Sequence, residues 1–189
     1  MRFVVTGPPA AGKSTLLAAL MSTYVQHAGH ALTHVTIDGV LRGMYSDGEL
    51  LGRAEMSADG SLIIADFNSI ARQTVERLAA QVADAFLPVF VEIPLFDWRL
   101  TPKLDAIFTN AHVLVLTADV AVRIDRNRER GGHRISEDGM LRMAGAFRPE
   151  DFERLRSVAA SVVELDTGTA VETSIERVHA WLRRVGGIP

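Results

Sequence analysis

The chain has 189 residues, 48% of them hydrophobic and 23% charged, with a net charge of −3 and no cysteine. That make-up suits one globular domain with a sizeable core; it excludes disulfides, cysteine-based zinc sites and a cysteine nucleophile, and its acidic balance argues against a nucleic-acid binder. No apolar run approaches the roughly 20 residues that span a bilayer, and the start carries no charged-then-apolar leader, so a cytoplasmic protein with neither membrane nor nucleic acid as partner is expected.

Arg2 to Thr6 is a short apolar run and reads as a first strand. The stretch GPPAAGKST, Gly7 to Thr15, follows it. Gly7, Gly12, Lys13 and Ser14 satisfy the pattern G-x-x-x-x-G-K-S/T, and they do so after a strand and before a helix, the setting its mechanism requires. Glycines let the backbone wrap closely round a phosphate. Amide N–H groups then point inward, and the helix N-terminus adds partial positive charge. The cradle is assigned to Gly7, Ala10, Ala11, Gly12, Lys13, Ser14 and Thr15. Lys13 is expected to reach the β- and γ-phosphates of a nucleoside triphosphate, Ser14 to ligate Mg²⁺, and Thr15 to supply a further hydroxyl.

Leu16, Leu17, Leu20, Met21 and Val25 recur at helical spacing and predict a helix from Ser14 to about His27. Ala31–Asp38 reads as a second strand. Residues 39–65 are ambiguous, with a hairpin around Asp59-Gly60 as one reading of Met56–Ile64. Asp66 to Phe86 is helix-like, with Ile70, Val75, Leu78 and Val82 on one side. Leu87–Pro94 and Ala111–Thr117 are the third and fourth strands. Val120 to Arg130 is a charged helix, Ser161–Asp166 a fifth strand, and a last helix runs from about Val171 to Val185. Strands apolar on both faces, alternating with helices, predict a three-layer α/β/α domain around a five-stranded parallel sheet.

Three stretches bear on what receives the phosphate. Asp38 ends the predicted second strand, at the carboxyl edge of the sheet where ligands bind in open α/β folds. Its carboxylate can orient an acceptor hydroxyl and take its proton; capping the next helix is the alternative. Glu92 lies in EIPLFD at the end of the third strand, where a charge needs Mg²⁺, water or Lys13 as partner unless the strand end is solvated. VRIDRNRERGGHR gathers Arg123, Arg126, Arg128, Arg130 and Arg134. Arg123, Arg126 and Arg130 share a helical face, and Gly131-Gly132 breaks the helix; a solvated helix paired through Asp125 and Glu129 is the alternative.

On these residues the chain resembles the P-loop small-molecule kinases, among them nucleoside monophosphate kinases, dephospho-CoA kinases and chloramphenicol phosphotransferases. Asp38-Gly39-Val40-Leu41-Arg42 is similar to the D-x-I/V-x-R of dephospho-CoA kinases, and Glu92-Ile93-Pro94-Leu95-Phe96-Asp97 to their acid-x-Pro-Leu-Leu-Phe-acid run. The resemblance implies an ATP- and Mg²⁺-dependent phosphotransferase acting on a hydroxyl or phosphate of a small molecule, such as a nucleoside, a nucleotide or a CoA precursor. It implies Asp38 as base, Arg42 and Arg134 on the acceptor, Glu92 near Mg²⁺ or the acceptor, and residues 39–65 around the acceptor site. It further implies an arginine-rich lid over about 123–140, whose Arg126 and Arg130 close on the phosphates, with Ser136 capping the helix after it. Thr167 and Gly168 then pass the adenine with their backbone. The chain departs from dephospho-CoA kinases at Asn68-Ser69, where His-Pro is usual, and near Ala146, where a glutamine is expected. The competing reading is a P-loop hydrolase or switch protein whose acceptor is water; the Asn-Lys-x-Asp motif of guanine-binding switches does not occur. Nothing in the composition indicates an oligomeric state.

Overall fold

Strands with two apolar faces need cover on both sides, and here each face has its own set of helices. The computed structural model describes residues 1–29, 31–58, 62–64, 66–94, 98, 101, 103–129, 135–144, 148–168 and 170–186. In chain order the elements begin with β1 (Arg2–Gly7), α1 (Lys13–Ala28), β2 (Thr33–Thr36), α2 (Ile37–Ser46), β3 (Ala54–Met56), β4 (Leu62–Ile64) and α3 (Phe67–Asp84). They continue with β5 (Val89–Pro94), α4 (Leu104–Phe108), β6 (His112–Thr117), α5 (Val120–Glu129), α6 (Glu137–Ala144), α7 (Pro149–Val158), β7 (Ser161–Asp166) and α8 (Val171–Arg184).

Five strands form one parallel sheet in the order β2-β5-β1-β6-β7. In register, Val4 of β1 lies beside Val91 of β5 on one side and Val113 of β6 on the other. Alternate residues of β1 serve different layers, as strand geometry demands. Phe3 and Val5 pack with Leu16, Leu17 and Leu20 of α1 and with Val178, Trp181 and Leu182 of α8. Val4 faces the opposite layer, with Val40 and Met44 of α2, Ile70 and Leu78 of α3, and Ile107 of α4. On the first face Phe3 stacks on Phe90 at 4.7 Å between ring centroids and meets the edge of Trp181 at 5.8 Å, a preferred aromatic arrangement. The predicted three-layer α/β/α architecture is the one observed.

The chain visits one flank of β1 first, through β2 and β5, and the other flank later, through β6 and β7. Such a reversal of direction leaves a crevice at the carboxyl end of the strands. The segment after β1 opens into it.

The second strand is shorter than predicted. It stops at Thr36, whose hydroxyl accepts a hydrogen bond from the Gly39 amide at 2.9 Å and so caps α2. Asp38 therefore rides in the first turn of a helix and is not its cap. β3 and β4 pair antiparallel, with Ala54 opposite Ile64 and Met56 opposite Leu62; the turn expected at Asp59-Gly60 lies outside the described residues. Ser136 caps α6 as anticipated, accepting from the Gly139 amide at 3.2 Å. Among the described residues no helix is long and apolar enough to cross a membrane.

Candidate functional site

The turn out of β1 is held in a shape that dictates its residues. Gly7 has φ 151°, and a Cβ added there would lie 2.5 Å from the Leu116 carbonyl oxygen, so no side chain fits. Gly12, at φ 86°, is the N-cap residue of α1. Between them Ala10 holds φ 60°, a left-handed conformation that a non-glycine residue adopts only under constraint from its surroundings. The first turn of α1 carries no acidic residue, which leaves its positive end open to an anion. The Lys13 ammonium folds back over the loop and donates to the carbonyl oxygens of Gly7 at 3.1 Å and Pro8 at 3.0 Å.

A cavity of about 600 Å³ lies over this loop, within the size range of small-ligand sites. Ala10, Gly12, Lys13, Ser14 and Thr15 line it, while Gly7 and Ala11 are buried beneath as supports. From the β2 and β5 flank come Thr36, Ile37, Asp38, Glu92 and Pro94; from the β6 and β7 flank come Arg126, Glu129, Thr167, Val171 and Ser174. The Ser14 hydroxyl donates to Glu92 Oε1 at 2.8 Å, bringing the two expected metal-binding residues together. Among the described residues no group of three His, Cys, Asp or Glu side chains could hold a metal. One hydroxyl and one carboxylate form a hard oxygen pair, which fits Mg²⁺, an ion that keeps waters and shares phosphate oxygens rather than filling a protein cage.

The arginine segment divides. Arg126 lines the cavity and donates through Nη1 to Thr167 Oγ1 at 3.2 Å and through Nη2 to the Thr167 carbonyl oxygen at 2.5 Å. Arg123, on the same predicted face, turns inward. It is 3% exposed, its Nε donates to the Ala118 carbonyl oxygen at 3.2 Å, and burial pulls its pKa down against the pull of Asp119. Arg128 pairs at the surface with Asp125, as the solvated-helix reading required, and with Glu137 of α6 where that reading named Glu129. Arg130 and Arg134 lie outside the described residues. The buried Asn127, which sequence reasoning passed over, bonds both backbone groups of Ile135, at 2.7 and 3.2 Å, and so joins α5 to the far side of that segment.

Thr167 does more than the backbone role foreseen for it. Its hydroxyl lies 2.9 Å from the Ala11 carbonyl oxygen and 3.0 Å from that of Thr117, in addition to accepting from Arg126. One side chain thus ties the phosphate loop, the end of β6 and α5 together. Thr167→Val, which keeps the shape and removes the hydroxyl, is expected to cost about 1–2 kcal/mol. Faster amide exchange at Ala11 and Gly12 is the accompanying sign to look for; unchanged exchange there would show that the loop holds itself. Gly168 is exposed, lies outside the cavity lining, and donates its amide to Asp166 Oδ1 at 2.8 Å. Arg42 is exposed, and no described residue of 39–65 lines the cavity; the three residues just before that segment, Thr36, Ile37 and Asp38, line it instead.

No protein-family model matches the chain, and no curated protein sequence does. Solved structures do match. A gluconokinase from Sinorhizobium meliloti superposes with a TM-score of 0.64 at 16% identity, covering 97% of this chain and 92% of that one. A shikimate kinase from Bacteroides thetaiotaomicron gives 0.59 at 17% identity over 97% and 98% of the two chains. The chain has the fold of the P-loop small-molecule kinases. A sugar kinase from a Janibacter species shares this kinase fold with a TM-score of 0.55 at 19% identity over 96% and 94%. These neighbours bear out the kinase-type fold; the specific resemblance to dephospho-CoA kinases is not shown by them.

Proposed function

We propose that the protein is an ATP-dependent kinase that passes the γ-phosphoryl group to a hydroxyl of a small molecule. The observation that carries this reading is the meeting of a complete phosphate cradle with two carboxylates, Asp38 and Glu92, in one cavity. The sheet order supports a division of labour across β1. Arg126, Thr167, Val171 and Ser174 on the β6 and β7 flank suit the nucleoside, and Asp38, Glu92 and Pro94 on the other flank suit the acceptor. The γ-phosphoryl group then sits between them, above Lys13.

Phosphoryl transfer asks for positioning and charge stabilisation more than covalent chemistry from the protein. Lys13 leaves the Gly7 and Pro8 carbonyls to gather the β- and γ-phosphate oxygens. Ser14 and Glu92 would hold Mg²⁺, which would supply neutralising charge on those oxygens. Arg126, already braced by Thr167, adds positive charge from the nucleoside side. Asp38 accepts the proton of the attacking hydroxyl. In this reading residues 1–189 work as a single domain, with Arg130 and Arg134 continuing the lid that Arg126 begins. The fold neighbours are named for gluconate, shikimate and sugars, all polyhydroxylated molecules, which favours a hydroxyl-rich acceptor over a phosphate one.

The test is ADP release with ATP and Mg²⁺ across a panel of gluconate, shikimate, aldoses, nucleosides and dephospho-CoA. Acceptor-dependent release, with a phosphorylated product seen by mass spectrometry, supports the kinase. Release that proceeds at the same rate with every acceptor and with none assigns the chain to hydrolases.

A further inference from the structure

Ser174 breaks the pattern of its own helix. The inward stripe of α8 consists of Ser174, Val178, Trp181 and Leu182, and the last three belong to the core beneath the sheet. Ser174 begins the stripe, where it runs out of the core and reaches the cavity. The residue is 2% exposed, and its hydroxyl has no hydrogen-bond partner. A buried hydroxyl without a partner is costly, and an alanine at that position would avoid the cost. The site therefore looks built for a partner that arrives with a ligand.

Of the polar neighbours at that end of the cavity, Thr167 and Arg126 are already engaged, and the exposed Glu129 stands at its edge. Thr167 bonds Ala11, Thr117 and Arg126, and the Arg126 guanidinium bonds Thr167. Val171, one turn before Ser174 on the same side of α8, offers an apolar wall. An apolar wall, a guanidinium and one spare hydroxyl suit a flat heteroaromatic ring with a polar edge. Resting on the reading of the cleft as a nucleotide site, we propose that the Ser174 hydroxyl makes the side-chain contact to the edge of the nucleobase. A hydroxyl both donates and accepts. It therefore serves the amino edge of adenine and the carbonyl edge of guanine alike, and ATP and GTP lose affinity together when it is removed.

The experiment is calorimetric titration of wild type and Ser174→Ala with ATP, with GTP and with inorganic tripolyphosphate, which carries the phosphates and no base. Both nucleotides are expected to bind about 5–10-fold more weakly to Ser174→Ala, the worth of one net hydrogen bond, with tripolyphosphate unchanged. The melting temperature of the free variant should equal or exceed that of wild type, since an unpartnered buried hydroxyl has been removed. Unchanged nucleotide affinity, a loss with only one of the two nucleotides, or an equal loss with tripolyphosphate would overturn the proposal. A wild-type protein that binds none of the three ligands overturns the nucleotide reading of the cleft as well, so the two failures are told apart by the wild-type titration.

Discussion

Asp38→Asn is expected to slow phosphoryl transfer by about 10²–10⁴-fold, the usual cost of losing a general base. The asparagine keeps the size of the side chain and most of its hydrogen bonding, but it does not take a proton from the acceptor. ATP affinity should stay close to wild type, because Asp38 enters the cavity from α2, across β1 from Arg126 and Thr167. The alternative role for Asp38, holding the helix start, makes a different forecast. Thr36 already caps α2 through its own hydroxyl, so Asp38 contributes at most its favourable charge near the N-terminus, worth less than about 1 kcal/mol. A variant with normal turnover and a slightly lower melting temperature would assign Asp38 to the helix and leave Glu92 as the next candidate base. Turnover, nucleotide affinity and melting temperature of this single variant settle the matter.

Lys13→Ala is expected to lower kcat by about 10²–10³-fold, on the scale of removing one electrostatic donor from a transition state, and to weaken ATP binding at the same time. The lysine is half-buried and donates to the Gly7 and Pro8 carbonyls. Both bonds lie within the loop itself and no core side chain is removed, so the fold should survive. Circular dichroism and the melting curve check that point before kinetics are read. A folded Lys13→Ala protein with wild-type turnover would remove the loop from the mechanism.

Much of this was legible along the chain because the signals were local. The glycines, lysine and serine of the cradle stand within one short stretch, and the apolar strands announce a sheet covered on both faces. β7 falls at Ser161–Asp166 as predicted. The failures have physical causes. α2 is ambiguous along the chain, and its start misplaced, because its sequence IDGVLRGMYS contains two glycines and begins the moment β2 ends. α7 escaped because it buries little, chiefly Leu155 and Asp151, and so carries only a thin apolar stripe. The braces of the site were unreadable for another reason. Thr167 reaches Ala11 across 156 positions and Thr117 across 50, and no spacing rule spans such distances. Ser174 did leave a trace, a polar residue at the head of an apolar stripe, but the trace acquires meaning only once the cavity beside it is seen. Arg123 shows the reverse error: helical spacing put it on the face of Arg126, and packing took it into the interior.

The place of β1 at the middle of the sheet makes the molecule separable along a seam. What is assigned to the nucleoside hangs from β6, β7 and the helices that follow them, what is assigned to the acceptor from β2, β5 and α2, and the phosphate cradle between them from β1 and α1. Substitutions on one side of the seam need not be answered on the other. A library confined to the surroundings of Ile37, Asp38 and Pro94 could retune which molecule is phosphorylated while the donor half is left as it stands, and a lineage could drift between acceptors by the same route.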